Sequence, residues 1–119
     1  MGETYVTVTV RNPAAPERTW EGEFLADTGA AISVVPRQHL EAIGIEPIGT
    51  RLAELADGSV IRLDLGIAGL DFIGEYTAGR VAFGSDDAEP LLGLMAMQDV
   101  GVKVDTVNHR LERTGRVRI

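Results

Sequence analysis

The sequence FLADTGAAISVVP, residues 24–36, decides how the rest of the chain is interpreted. Its residues are small or apolar except that one acid, Asp27, stands in the middle. Burying a lone carboxylate costs free energy unless a partner stabilises it or a function requires it. Thr28 adds a hydroxyl, Gly29 permits close backbone approach, and Ala30 leaves space beside the acid. The stretch therefore predicts a functional carboxylate in a loop between buried strands.

Composition limits the classes of protein to which the chain can belong. Its 119 residues, 45% hydrophobic and 24% charged, indicate one globular domain spanning residues 1–119. A formal net charge of −7 argues against nucleic acid and anionic membranes as partners. The absence of cysteine excludes disulfides, thiol nucleophiles and cysteine-based zinc sites. No apolar run reaches transmembrane length and the N-terminus lacks a signal-peptide pattern, so we expect a cytoplasmic protein.

The strands before and after Asp27 follow from hydrophobic patterning. Residues 5–10 alternate apolar and polar side chains, which is typical of a half-buried strand. Two prolines predict a turn without ladder pairing over residues 12–16. Residues 18–25 then predict a returning strand that becomes continuously apolar, so burial should deepen toward the acid. Residues 32–35 predict a further buried strand.

A hairpin is predicted downstream of the acid. Asp57 and Gly58 separate two strand patterns, residues 51–55 and 60–65, and Asp-Gly is a strong hairpin-turn signal. The tip comprises Ala56, Asp57, Gly58 and Ser59. A ribbon of this kind fits either a mobile flap or an ordinary surface hairpin.

The remaining patterns complete a mostly β protein. About eight short strands and two short helices predict an all-β barrel or sandwich. The helices are predicted over residues 36–43 and 94–100, and Leu91-Leu92-Gly93 predicts a buried strand meeting a glycine. Further strands are predicted over residues 72–77, 80–83 and 102–105, a turn over 106–109, and an edge strand over 115–119.

Carboxylate chemistry is what the residues best support. Ser33 lacks the context of a nucleophilic serine, and His39 and His109 are interpreted as surface residues without metal-ligand spacing. The chain carries no sign of a metal or organic cofactor. One aspartate cannot be both base and acid toward a water molecule. Two-fold dimerisation would place Asp27 against its symmetry mate, and two like acids at close range share a proton.

These residues resemble a known family. Residues 24–30 are similar to the hydrophobic-hydrophobic-x-Asp-Thr-Gly-Ala signature of retroviral-type (retropepsin-like) aspartic proteases. Leu91, Leu92 and Gly93, followed by a short helix, resemble the element that completes the family's ψ-shaped loop. Asp57 and Gly58 fall where the family has its flap. The resemblance covers roughly residues 5–111 and is most like the small bacterial and archaeal "clan AA" members.

The resemblance implies a fold, an activity and a role for each site residue. The fold would be a closed acid-protease-type β-barrel with one or two short helices, forming half of a two-fold dimer. Asp27 from each subunit would form the catalytic dyad, supported by Thr28, Gly29 and Ala30. The hairpin of residues 56–59 would close over a peptide or protein substrate, and residues 4–10 and 116–119 would contribute to the dimer interface.

The sequence departs from the viral pattern at two positions. Viral members carry an acid and an arginine where this chain has Ala31 and Leu94, which predicts apolar bracing in place of an ion pair. Two alternatives to the peptidase stay open. One is a catalytically silent member of the same fold that binds peptides or dimerises. The other is a small-molecule-binding β-barrel unrelated to proteases.

Overall fold

A computed structural model describes residues 2–117 and 119 of the chain. Within that range the protein is mostly β, with nine strands and two short helices. The elements are β1 Tyr5–Asn12, β2 Ala15–Ala26, β3 Ser33–Pro36, α1 Arg37–Ala42, β4 Gly49–Glu54, β5 Val60–Phe72, β6 Glu75–Gly84, β7 Leu91–Leu92, α2 Leu94–Asp99, β8 Val102–Asp105 and β9 Arg110–Arg113. The mostly β class and both helices are as predicted, with element ends differing by one or a few residues.

The first hairpin is longer than the sequence predicts. β1 and β2 pair antiparallel from Tyr5↔Leu25 to Asn12↔Ala15, so only Pro13 and Ala14 lie in the turn. The predicted turn over residues 12–16 is therefore wrong at its second proline, because Pro16 lies within β2. Proline is tolerated near the start of a strand.

The central strands also run further than predicted. β4 and β5 form the hairpin predicted around Asp57 and Gly58, but β5 continues to Phe72. The strand predicted over residues 72–77 is wrong, because Ile73 and Gly74 form the turn into β6. Both have positive φ, 46° and 79°. Because apolar residues flank this turn on both sides, the sequence pattern predicts one continuous strand and does not reveal the turn.

Seven strands form one sheet, in the order β1-β2-β7-β3-β6-β5-β4. β1 also pairs with β5 through residues 9–11 and 69–71, so the sheet curves back onto its first strand. The core is enclosed by this curved sheet and by α1, with α2 contributing Met97. Its fully buried members are Val8, Val10, Phe24, Val35, Leu40, Ala68, Val81, Ala82 and Leu92.

α1 brings His39 against the sheet, which corrects the interpretation of this residue as surface. The His39 ring stacks on Trp20 of β2 with centroids 3.8 Å apart and planes 7° apart. Trp20 also packs against Phe24 at 5.9 Å. His39 is half-buried. Because Trp20 and His39 lie far apart in sequence, their pairing is a tertiary contact that no local pattern reveals.

The C-terminal part forms a separate two-stranded sheet. β8 and β9 pair antiparallel, with the predicted turn over residues 106–109 between them. The edge strand predicted over 115–119 is not formed by Gly115, Arg116 or Val117, and residue 118 of that prediction lies outside the described residues. Over the described range, neither helix has the length and apolar character needed to cross a membrane.

Candidate active site

The acid lies where three strands meet. β7 lies between β2, with which it is parallel, and β3, with which it is antiparallel. The chain leaves β2 at Ala26, and the Asp27 amide donates to the Leu92 carbonyl at 2.9 Å. The sequence stretches 24–36 and 91–93 therefore come together, as the two halves of the predicted loop require.

The Asp27 carboxylate is held by the turn that follows it. Oδ1 accepts a hydrogen bond from the Gly29 amide at 2.8 Å, and the Ala30 amide donates to the Asp27 carbonyl at 3.2 Å. Among the described residues, Oδ2 accepts no hydrogen bond. Burial along β2 deepens as predicted as far as Phe24, which is fully buried, and is then partial at Leu25, Ala26 and Asp27. Thr28 and Gly29, after the acid, are exposed.

Gly93 allows the closest backbone approach in this region. A Cβ at this position would lie 2.5 Å from the carbonyl carbon of Ile32 and 2.8 Å from the Ser33 nitrogen. Only glycine fits, because both neighbours are backbone atoms that cannot rotate away. The Gly93 amide donates to the hydroxyl of Ser33 at 2.9 Å. Sequence reasoning considered Ser33 only as a nucleophile and missed this contact; a hydroxyl within an apolar strand was the available signal.

α2 is attached to the acid loop through its first amides. The Leu94 and Met95 amides donate to the carbonyls of Ala30 and Ala31 at 2.8 and 3.0 Å. These carbonyls satisfy helix N-terminal amides that no side chain caps. The predicted apolar bracing needs correction: Ala31 is exposed and Leu94 half-buried, and backbone hydrogen bonds join their two segments.

A groove of about 520 Å³ opens beside Asp27. Its walls are the N-terminal segment, the end of β2 with the acid loop, and β8 with the turn that follows it; they include Gly2, Glu3, Thr4, Leu25, Ala26, Asp27, Thr28, Lys103, Val104 and Thr106. The groove is open to solvent and carries both acidic and basic side chains. The flap tip is not among the residues that line it.

Tyr5 connects the N-terminal segment to the loop before β7. Its hydroxyl lies 2.9 Å from a carboxylate oxygen of Glu89 and 3.3 Å from one of Glu3. The hydrogen bond to Glu89, followed by partial burial and the negative charge of both carboxylates, raises the pKa of Tyr5 to about 12.

The predicted flap is an exposed hairpin. Its tip is closed by the Leu55 amide donating to the Ser59 carbonyl at 2.8 Å and by Gly58 in a left-handed conformation, φ 86°. Asp57 Oδ1 accepts hydrogen bonds from the Ser59 hydroxyl and amide, which lower the pKa of Asp57. Leu52 and Val60 are 70% and 60% exposed. All four tip residues, 56–59, are exposed.

The structure shows no obvious place for a metal within residues 2–117 and 119. No group of three histidine, aspartate or glutamate side chains lies close enough there to hold an ion.

The fold is that of a retroviral-type protease. It is similar to the solved structure of EIAV protease complexed with the inhibitor HBY-793, with a TM-score of 0.62. The likeness covers 87% of this chain and 93% of that one at 19% sequence identity. No model of a known protein family matches the chain. No curated protein matches it in sequence either.

Proposed function

We propose that the protein is a homodimeric aspartic endopeptidase in which two copies of Asp27 hydrolyse peptide bonds. The observation that carries the proposal is the position of Asp27 at the end of β2, fixed to Leu92 of β7, in a fold similar to that of a retroviral protease. One carboxylate oxygen is held by Gly29, and Oδ2 accepts nothing within the described chain. One chain would supply half of the site, and a closed two-fold dimer would complete it.

The chemistry requires two carboxyls of unlike protonation. The ionised Asp27 takes a proton from water as the water oxygen attacks the carbonyl carbon of the peptide bond. The protonated Asp27 of the other copy gives its proton to the carbonyl oxygen. In the second step the ionised carboxylate takes a proton from one hydroxyl of the tetrahedral diol, the C–N bond breaks, and the protonated carboxyl gives its proton to the leaving amine. Each step returns the dyad to one shared proton, so no cofactor is consumed.

A second copy would cover the exposed face of the acid loop. Thr28, Gly29 and Ala31 are exposed there, and Met95, whose amide binds the Ala31 carbonyl, is 46% exposed. A groove of about 220 Å³ continues this surface from Met95 to Val117 and the C-terminal residue. This surface combines the apolar Met95, Val117 and Ile119 with Gln98 and Asp99, and Met95 joins it to the acid loop, which supports a two-fold contact here.

Dimerisation is tested by sedimentation equilibrium over a concentration series. We expect a dimer that Met95→Glu weakens, because a charge would then be buried without a partner. Val107→Glu is the matched control, since Val107 is 82% exposed at the turn between β8 and β9. A wild-type protein that stays monomeric at high micromolar concentration contradicts the dyad.

Activity is tested with a diverse peptide library at acidic to neutral pH. We expect cleavage that Asp27→Asn abolishes, because an amide cannot serve as the base. Asp87→Asn, in the exposed loop before β7, is the control and should keep activity. Cleavage that survives Asp27→Asn would show that another group is the catalyst.

The alternative is a catalytically silent peptide-binding module of the same fold. The exposed apolar side chains of the hairpin, Leu52 and Val60, would serve peptide binding without hydrolysis. A dimer that binds library peptides and releases them uncut, in wild type and Asp27→Asn alike, would favour this alternative.

A further inference from the structure

Ser33 is a buried hydroxyl in a strand of apolar neighbours. It begins β3, its residue is 2% exposed, and its Oγ accepts the Gly93 amide at 2.9 Å. No chemical step of the proposed reaction uses this hydroxyl. Its burial and its partner call for a different explanation.

The buried Gly93 amide needs a hydrogen-bond acceptor, and Ser33 supplies it. β7 ends at Leu92, so Gly93 lies outside the ladder, and Gly93 is itself buried. The backbone of Ile32 approaches so closely that even a Cβ at Gly93 would collide with it. A buried amide without an acceptor is costly, and at this crossing the Ser33 hydroxyl is the acceptor.

One peptide unit connects this hydrogen bond to the acid. The Gly93 amide and the Leu92 carbonyl belong to the same planar peptide group, and that carbonyl accepts the Asp27 amide at 2.9 Å. A movement of this peptide group would therefore move both the Ser33 contact and the Asp27 contact. We infer that Ser33 is a positioning residue that sets the location of Asp27 through the Leu92–Gly93 peptide. The inference rests on the proposed peptidase function.

Ser33→Ala removes the acceptor and leaves the chain otherwise unchanged. With the peptidase active, we expect kcat to fall by about tenfold to a hundredfold, the scale of a small misplacement of a catalytic group, with KM unchanged. Ser33→Thr restores the acceptor and should recover kcat. Ser33 lines a cavity of about 40 Å³ together with Leu70 and Ala96 among others.

Val35→Ala separates positioning from stability. Val35 lies on the same strand and is fully buried in the core, and its apolar side chain forms no hydrogen bond with Gly93 or with the acid. It should lower the unfolding temperature while kcat, measured well below that temperature, stays at the wild-type value. If Ser33→Ala does not fold, Ser33→Cys replaces it, because sulfur fills the site as a weaker acceptor and should give an intermediate kcat.

Amide hydrogen exchange tests the positioning without using activity. We expect Ser33→Ala to accelerate exchange at both Gly93 and Asp27, and Ser33→Thr to restore protection at both. An Asp27 amide that remains as protected in Ser33→Ala as in wild type overturns the inference, as does an unchanged kcat. A wild-type protein without peptidase activity contradicts the proposed function, and the exchange at Asp27 then decides the role of Ser33 by itself.

Discussion

The acid loop and the flap hairpin differ in where their backbone hydrogen bonds go. The amides of Asp27, Leu94 and Met95 each donate a hydrogen bond to a carbonyl of a segment distant in sequence. The flap tip is closed by hydrogen bonds within residues 55–59, such as the bond that the Leu55 amide donates to the Ser59 carbonyl. The free energy of local opening is small where contacts are local and exposed, and large where contacts join buried elements. The difference teaches that the acid loop is tied to distant parts of the fold, whereas the hairpin tip is held only by local hydrogen bonds, which is what the proposed flap would need in order to move.

Two glycines test how firmly the acid loop is fixed. We expect Gly93→Ala to lower the free energy of unfolding by about 4 kcal/mol or more, because its Cβ would overlap backbone atoms. Gly79→Ala in β6 is the control: no atom lies within 4 Å of its Cβ, and its unfolding free energy should stay the same or rise by up to about 1 kcal/mol. Urea unfolding at one protein concentration measures both, and equal values would remove the distinction between these positions.

Two leucines compare the regions directly. Leu92, beside the acid, is fully buried, whereas Leu52 in the hairpin is 70% exposed. Leu92→Ala should cost about 3 kcal/mol through lost contacts and a cavity. Leu52→Ala should change the unfolding free energy by no more than about 0.5 kcal/mol. Thermal and urea unfolding test this, and a large loss from Leu52→Ala would mean that the hairpin is packed in solution.

Gly58 tests whether the flap opens as an independent unit. Its φ of 86° is unfavourable for alanine, so Gly58→Ala should destabilise the tip by about 1 kcal/mol. Gly49→Ala, at the base of the same hairpin with no atom within 4 Å of its Cβ, is the control. We expect faster amide exchange at Leu55 with the global unfolding free energy unchanged. A matching loss of global stability would show that flap and core unfold together.

The smallest expected effect is a pH dependence beside the acid loop. The pKa of Tyr5 is raised to about 12 in the folded chain by Glu89, from an unfolded value of 10.0. A raised pKa means that the neutral phenol is favoured by folding, so its stabilisation is present below pH 10 and is lost between pH 10 and about 12. Comparing unfolding midpoints of wild type and Tyr5→Phe across this range should show a difference that shrinks as pH rises. A constant difference would mean that the Glu89 contact does not form in solution.

The sequence predicts the parts of this molecule that depend on local chemistry. Asp57-Gly58 specifies its turn, and Leu91-Leu92-Gly93 its buried strand, through residue types alone. The left-handed turn at Ile73 and the β-strand position of Pro16 were mispredicted, because neighbouring strands override local propensity there. The fold class therefore follows from patterning, and the lengths of β2 and β5 depend on their partners.

The candidate site likewise has features that the sequence predicts and features that depend on the folded chain. Asp27 stands out because a carboxylate within an apolar stretch requires an explanation. The hydroxyl of Ser33 within an apolar strand was a signal, but its partner Gly93 could not be predicted, nor could the attachment of α2 to Ala30 and Ala31, because these contacts depend on backbone atoms of segments far apart in sequence. His39 was misplaced for the same reason: its partner, Trp20, is brought to it only by the folded sheet.

The pairing of Asp27 with Leu92 has a consequence for synthesis. The acid is made early, and the strand that holds it is made late, so the loop cannot take its final geometry while residues 91–93 are still inside the ribosome. Contacts between distant segments also form slowly, since the intervening chain must be ordered first. A nascent chain would thus carry the acid without the geometry to use it. In the proposed peptidase, activity would therefore begin only after residues 91–93 have been made and have paired with the acid loop.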